Sequence, residues 1–279
     1  MGSTTFNAGG SKKRPLPVKS SSRYLRAPWA WACSGAVAGA LVATLVFAPA
    51  SWLAAAIGLA SREHLLFQAP EGTVWNGSAQ VELGTDLQSD ARAVLPGRLH
   101  WNIGMEGASL RIRLEAACCT SQPWTWRISP QWNGLLAHLE DQTTQWPATL
   151  LVGLGTPWNT VQPEGELSVA TRGLTLSWRD GTTRLDGQAQ LDALDVSSSL
   201  STLKPMGSYR LLLDGGDVPS FQLQTLRGGL QAEGTGQWIG GRLHFEGKAR
   251  AITDRSEALD NMLNMMGHRA GDHFDLNMG

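Results

Sequence analysis

The sequence predicts a mainly β protein: an N-terminal single transmembrane helix, a large antiparallel β-sheet domain, and a short amphipathic helix near the C-terminus. Three observations predict it. No residue from Ala27 to Ser61 is charged, and at about 1.5 Å per residue that run can cross a ~30 Å hydrocarbon layer. Beyond residue 68, short runs alternate apolar and polar side chains, the two-residue period of a strand with one buried face. Helical spacing returns only over Ser256–Gly267.

The N-terminal elements come first. Residues 1–26, rich in Ser, Gly, Lys and Arg, read as a disordered basic tail. Residues 27–60 read as one transmembrane helix with a core from Ala32 to Ala50. Trp29 and Trp31 stand at one end and Trp52 at the other, an aromatic belt at each interface. Gly35 and Gly39 set a small-xxx-small face on which another helix could pack. Pro49 falls in the last turn. Lys12, Lys13, Arg14, Lys19, Arg23 and Arg26 precede the helix with no acid among them. This asymmetry orients the N-terminus to the cytoplasm and residues 61–279 to the far side. The rival reading is a cleaved signal peptide with an Ala-x-Ala site around Ala54–Ala56. The long polar lead, the length of the apolar run, and Pro49 and Trp52 near any cut count against it.

Removing those six from the 23 basic residues leaves 17 against 24 acidic ones over 61–279, a net charge near −7. That balance, with no basic stripe interleaved with aromatics, excludes nucleic acid as the expected partner. Of three cysteines, Cys33 lies in the apolar run and Cys118 and Cys119 are adjacent. The pair reads as two small, half-buried residues in a β segment, with a vicinal disulfide as the alternative.

Alternation marks the expected strands: Ala79–Leu83, Leu99–Ile103, Leu110–Leu114, Leu167–Val169, Leu174–Trp178, Tyr209–Leu213, Phe221–Leu223, Leu243–Phe245 and Phe274–Met278. Between them Asn76-Gly77, Asp180-Gly181, Asp186-Gly187, Asp214-Gly215 and Gly240-Gly241 signal turns. This rhythm describes hairpins and meanders packed on one face. Pro147 to Pro163 reads as a looser connection between two sheet portions. In Ser256–Gly267, Leu259, Met262, Leu263 and Met266 share a helical face between a Ser cap and a Gly cap. That face reads as ordinary core packing, with a Met-rich binding face as the sharper alternative.

Chemistry is missing. The six histidines show no ligand spacing, and no HExxH, Walker A, GxSxG or paired-carboxylate pattern is present. Ser201-Thr-Leu-Lys204 matches SxxK but lacks its companion motifs, and Gly153-Leu-Gly155 lacks the third glycine of a nucleotide loop. Asn76-Gly-Ser78 is formally a glycosylation sequon and reads as a turn. No enzyme, cofactor or metal is expected.

Two tryptophans stand beside glycine turns instead. Gly72-Thr73-Val74-Trp75-Asn76-Gly77 follows the helix, and Trp238-Ile239-Gly240-Gly241-Arg242 lies downstream. At such points Trp staples a turn to a sheet, with a binding role for either Trp as the alternative. The GTVWNG string resembles that of the type II secretion system protein N family. The resemblance continues in Leu95-Pro-Gly-Arg-Leu-His-Trp101, in Gly234–Gly247 and in Ala258–Asp272, in the family's order. Val74 replaces a Leu and His268 an Arg of the usual motifs. The resemblance implies a non-enzymatic, accessory component of the bacterial inner membrane with a periplasmic β domain. Its partners would be other inner-membrane and periplasmic secretion components, including the clamp protein C. The family is also similar to AsmA-like proteins, which implies a curved sheet with an open apolar groove and, as the alternative function, periplasmic lipid binding or transfer.

Overall fold

A computed structural model describes residues 2, 29–84, 92–156, 158–239, 242–252, 268–270 and 273–278. Apart from residue 2, the expected tail over 1–26 lies outside them, as do the helix over Ser256–Gly267 and the glycines at 240 and 241. The chain divides into two compact units, Met1–Thr44 and Leu45–Gly279.

The apolar stretch forms two helices where one was expected: α1 (Trp29–Val46) and α2 (Ala50–Ala60). Pro49 separates them. It has no N–H to donate and pushes the residue before it out of the helical region. Among the described residues no helix is long and apolar enough to cross a membrane. In the first unit, α1 exposes Trp29, Trp31, Val37, Leu41 and Val42, and a Cβ on Gly35 or Gly39 would meet nothing. In the second unit, Ala48 and Ala50 are buried.

That second unit is a large, open, curved antiparallel sheet. Its strands are β1 (Leu65–Gly72), β2 (Asn76–Gly84), β3 (Arg92–Val94), β4 (Leu99–Glu106), β5 (Ser109–Ala116), β6 (Trp124–Gln131), β7 (Gly134–Leu139) and β8 (Thr143–Pro147). They continue with β9 (Glu164–Arg179), β10 (Thr182–Ser197), β11 (Gly207–Gly216), β12 (Ser220–Gly228), β13 (Leu230–Ile239), β14 (Arg242–Ala251), β15 (His268–Ala270) and β16 (His273–Met278). Spatial order nearly follows chain order: β1-β2-β4-β5-β6-β7-β9-β10-β11-β12-β13-β14-β16-β15, with β3 on β2 and β8 on β9. The connection over 147–163 holds a 3-10 turn (Ala148–Leu154) and a short helix, α3 (Trp158–Val161). It does not divide the sheet, because β7 pairs directly with β9.

Register shows why the sheet has one apolar face. Side chains of paired residues point the same way. Ile103 pairs with Ile112, Ile112 with Trp126, and Trp126 with Leu139. Ile128 pairs with Ala137, which pairs with Leu176, and Leu176 with Leu185. Core clusters sit at both ends of the strand order. One gathers Val81, Leu95, Ala116 and Cys119, and the next Ala50, Ala79 and Trp101. A third gathers Met206, Leu230, Ala249 and Phe274. Cys118 and Cys119 are bonded to each other in the β5–β6 turn, so the vicinal alternative replaces the expected unbonded pair.

Candidate functional site

The GTVWNG segment builds a clasp. Gly72 has φ of +86°, and a Cβ there would lie 2.5 Å from the Asn76 carbonyl oxygen, so only glycine fits. A Cβ on Gly77 would lie 2.5 Å from the Glu71 carbonyl and 2.6 Å from Trp101 Cζ2. With both positions bare, the β1–β2 turn closes tightly. Thr73 N–H donates to Asn76 O (2.9 Å), and Asn76 N–H donates to Thr73 Oγ1 (3.1 Å). Trp101 of β4, 2% exposed, sits beneath the turn and stacks on Phe67 at 5.6 Å. Its indole N–H donates to the carbonyls of Thr73 (3.2 Å) and Val74 (3.1 Å).

The outer side of this turn holds the incoming chain. Val74 N–H donates to Ala48 O (2.9 Å), Trp75 Nε1–H to Leu45 O (2.8 Å), and Pro49 bridges to Thr73. Ile103 N–H donates to Trp75 O (2.6 Å), so β4 closes the back of the clasp. Helices leave their last carbonyls without partners. Here Leu45 and Ala48, at and just past the end of α1, find partners in the sheet unit. Trp75 therefore fastens the turn to the incoming chain, and Trp101 is the tryptophan that fastens it to the sheet.

Beside the clasp, α2 and the 3-10 turn lie on the apolar face of β1–β6 and leave a cavity of about 580 Å³. Leu53 and Ile57 of α2 form one wall, and Phe67, Val81, Leu114, Trp124, Trp146 and Leu150 form the others. Its lining presents no polar surface. The size falls in the range of about 300–1000 Å³ typical of ligand pockets. Sequence alternation supplied Val81 and Leu114 among these residues, but not the space between them.

The other expected site residues stand apart. Trp52 is an exposed residue of α2, and Trp238, next to last in β13, is half-exposed and tilted against Phe221 at 5.4 Å. Arg242 opens β14 opposite Ile239. The clasp and the Trp238 turn are near opposite ends of the strand order, so the structure does not join them into one site. Among the described residues no group of three or more His, Cys, Asp or Glu could hold a metal ion.

The fold is an open antiparallel meander with an apolar cavity on the face of its first strands. The model of one family, type II secretion system (T2SS) protein N, matches residues 63–277, and the chain belongs to that family. It is a type II secretion component of an accessory family, which implies interaction with other components of that system. No curated protein and no solved structure matches the chain.

Proposed function

We propose that the protein is a non-enzymatic scaffold of the type II secretion apparatus. In this reading the uncharged segment of α1 holds it to the bacterial inner membrane, while α2 packs on the sheet; residues 1–26 face the cytoplasm and the sheet unit stands in the periplasm. The observation that carries the reading is the clasp, in which the family's motif binds the C-terminal end of α1 through Leu45 and Ala48. A motif spent on holding the incoming chain serves position rather than chemistry. The free edge of β1 is a surface for partner strands, because an open sheet leaves unpaired N–H and C=O groups at its ends. The test is deletion of the gene, which should lower export of folded periplasmic substrates. Photo-crosslinkers at Gln68 and Glu71, exposed on β1, should reach other secretion components. Normal export with no such crosslinks sinks the reading.

A second reading is a lipid-binding groove, favoured by the cavity and its lack of polar lining. An acyl chain suits it, since each buried CH₂ contributes about 0.8 kcal/mol. Lipid should then co-purify with the full chain and be lost in Leu114→Asp, while a bound lipid insensitive to that change removes the cavity as its site.

A further inference from the structure

We propose that one edge of the sheet, the row of hairpin tips on the side where the chain enters, seats in the headgroup layer of a lipid bilayer. In an antiparallel meander alternate turns fall on the same edge. The β1–β2 clasp therefore shares its edge with the tips of β4–β5, β6–β7, β9–β10, β11–β12 and β13–β14. The register supports this: Gly134 pairs with Arg179, which brings two tips together, and Asn133 Nδ2 donates to Asp180 Oδ2 across them at 2.8 Å. Trp238 N–H donates to Pro219 O at 2.9 Å, joining the next two.

These tips expose residues that water does not favour. Trp132 is 103% exposed at the β6–β7 tip, Trp178 50% at β9–β10, and Trp238 40% at β13–β14. Met105, Val218 and Ile239 are exposed beside them. Tryptophan, with an apolar body and one N–H, is the side chain most suited to the membrane–water boundary. Several charges near the edge are paired with one another, while Arg179 and Arg242 stand at the tips without an ion pair among the described residues. Glu106 meets Arg111 at 3.5 Å and Arg127 at 3.4 Å, and Arg184 bridges Asp186 and Asp217. A largely compensated edge with exposed tryptophans fits a zwitterionic surface, and binding through the tryptophans persists in high salt.

The occupant is set by where the chain comes from. Leu45, Ala48 and Pro49, at and just past the end of α1, are bound into this same edge by the clasp. The proposal rests on the reading of α1 as a membrane anchor, and it adds a second, broad contact along the bilayer surface. The sheet unit then stands on its hairpins rather than hanging from one connection.

The test uses the full chain in phosphatidylcholine vesicles, with Cys33→Ser removing the free thiol. An environment-sensitive fluorophore is placed on V42C, W132C, W238C or W158C. Trp158, 39% exposed in α3 at the start of β9, is the control from the opposite edge. Nitroxide lipids labelled at the headgroup should quench most emission at 132 and 238 and little at 158, in high salt as well as low. A chain-labelled nitroxide reports on 42. Quenching at 42 with 132 and 238 no different from 158 overturns the seating and leaves the anchor standing. No quenching at 42 but strong quenching at 132 and 238 supports the seating and removes the anchor. No quenching at any position removes both, and loss of rim quenching in high salt overturns the apolar mechanism.

Discussion

Replacing Trp101 by Phe isolates what holds the clasp shut. The ring that stacks on Phe67 remains, but the N–H shared between Thr73 O and Val74 O is gone. Leaving half-buried carbonyls without their donor costs about 1–3 kcal/mol. The smaller ring leaves a void on the order of a methylene or two, adding about 1 kcal/mol. At about 1.4 kcal/mol per tenfold, a loss of about 2–4 kcal/mol speeds local opening roughly 30- to 1000-fold. Hydrogen exchange with mass readout on the full chain measures it. Amides of Val74 and Ile103, bonded to Ala48 O and Trp75 O, should accelerate by that factor. Peptides from β11 (Gly207–Gly216), far along the strand order, should be unchanged. Acceleration below about threefold at Val74, or equal acceleration in β11, refutes the view that Trp101 locally pins the turn.

Further tests follow from other residues. Gly77→Ala should destabilise by more than about 2 kcal/mol, because its Cβ meets the backbone oxygens of Glu71 and Thr73. Gly104→Ala, with nothing near, should stay within about 0.5 kcal/mol, and matched resistance to proteolysis in the two would contradict the geometry. Asp192 is held below the usual carboxylate range, chiefly by its hydrogen bonds from Arg210 at 2.7 Å, despite partial burial. A depressed folded pKa stabilises above the unfolded value near 3.8 and is lost as pH falls through the folded one. Asp192→Asn should therefore flatten that part of the acid limb in a pH series of melting temperatures, and an unchanged limb counts against the pair. Burial pushes the Tyr209 hydroxyl, which donates to Leu230 O, well up. Alkaline titration should find it still neutral where a free phenol ionises, with stability falling as pH rises past the unfolded value of 10. Denatured, unreduced protein should alkylate at Cys33 alone and at all three cysteines after reduction; three adducts without reduction contradict the vicinal bond.

The mainly antiparallel plan was legible because a one-sided sheet forces a period of two on its strands. Where backbone departs from that period, legibility fails. Asp186-Gly187 reads as a hairpin turn but is a bulge inside β10, with Gly187 at φ of +95° and the register shifting beside it. A second shift near Asp195 (φ +49°) scrambles the alternation of the same strand, so its sixteen residues left no clean signal. Asn76-Gly77 likewise starts β2 rather than forming the tip, which is Thr73–Trp75. The apolar run was plain in composition, but its break at Pro49 matters because Ala48 and Leu45 are bonded to a turn some 30 residues away. No local pattern reports such a partner. The cavity is equally silent in sequence, since the same leucines would line a filled core.

The nearly sequential strand order has a consequence for how the chain acquires its structure. A chain is made and delivered N-terminus first, and here each new hairpin finds its docking edge already present in the strand before it. Growth needs few closures of long loops, the slow steps for β proteins. The sheet can therefore assemble like a row of tiles laid outward from the clasp, its first edge set by Thr73, Trp75 and Trp101 before the last strands exist.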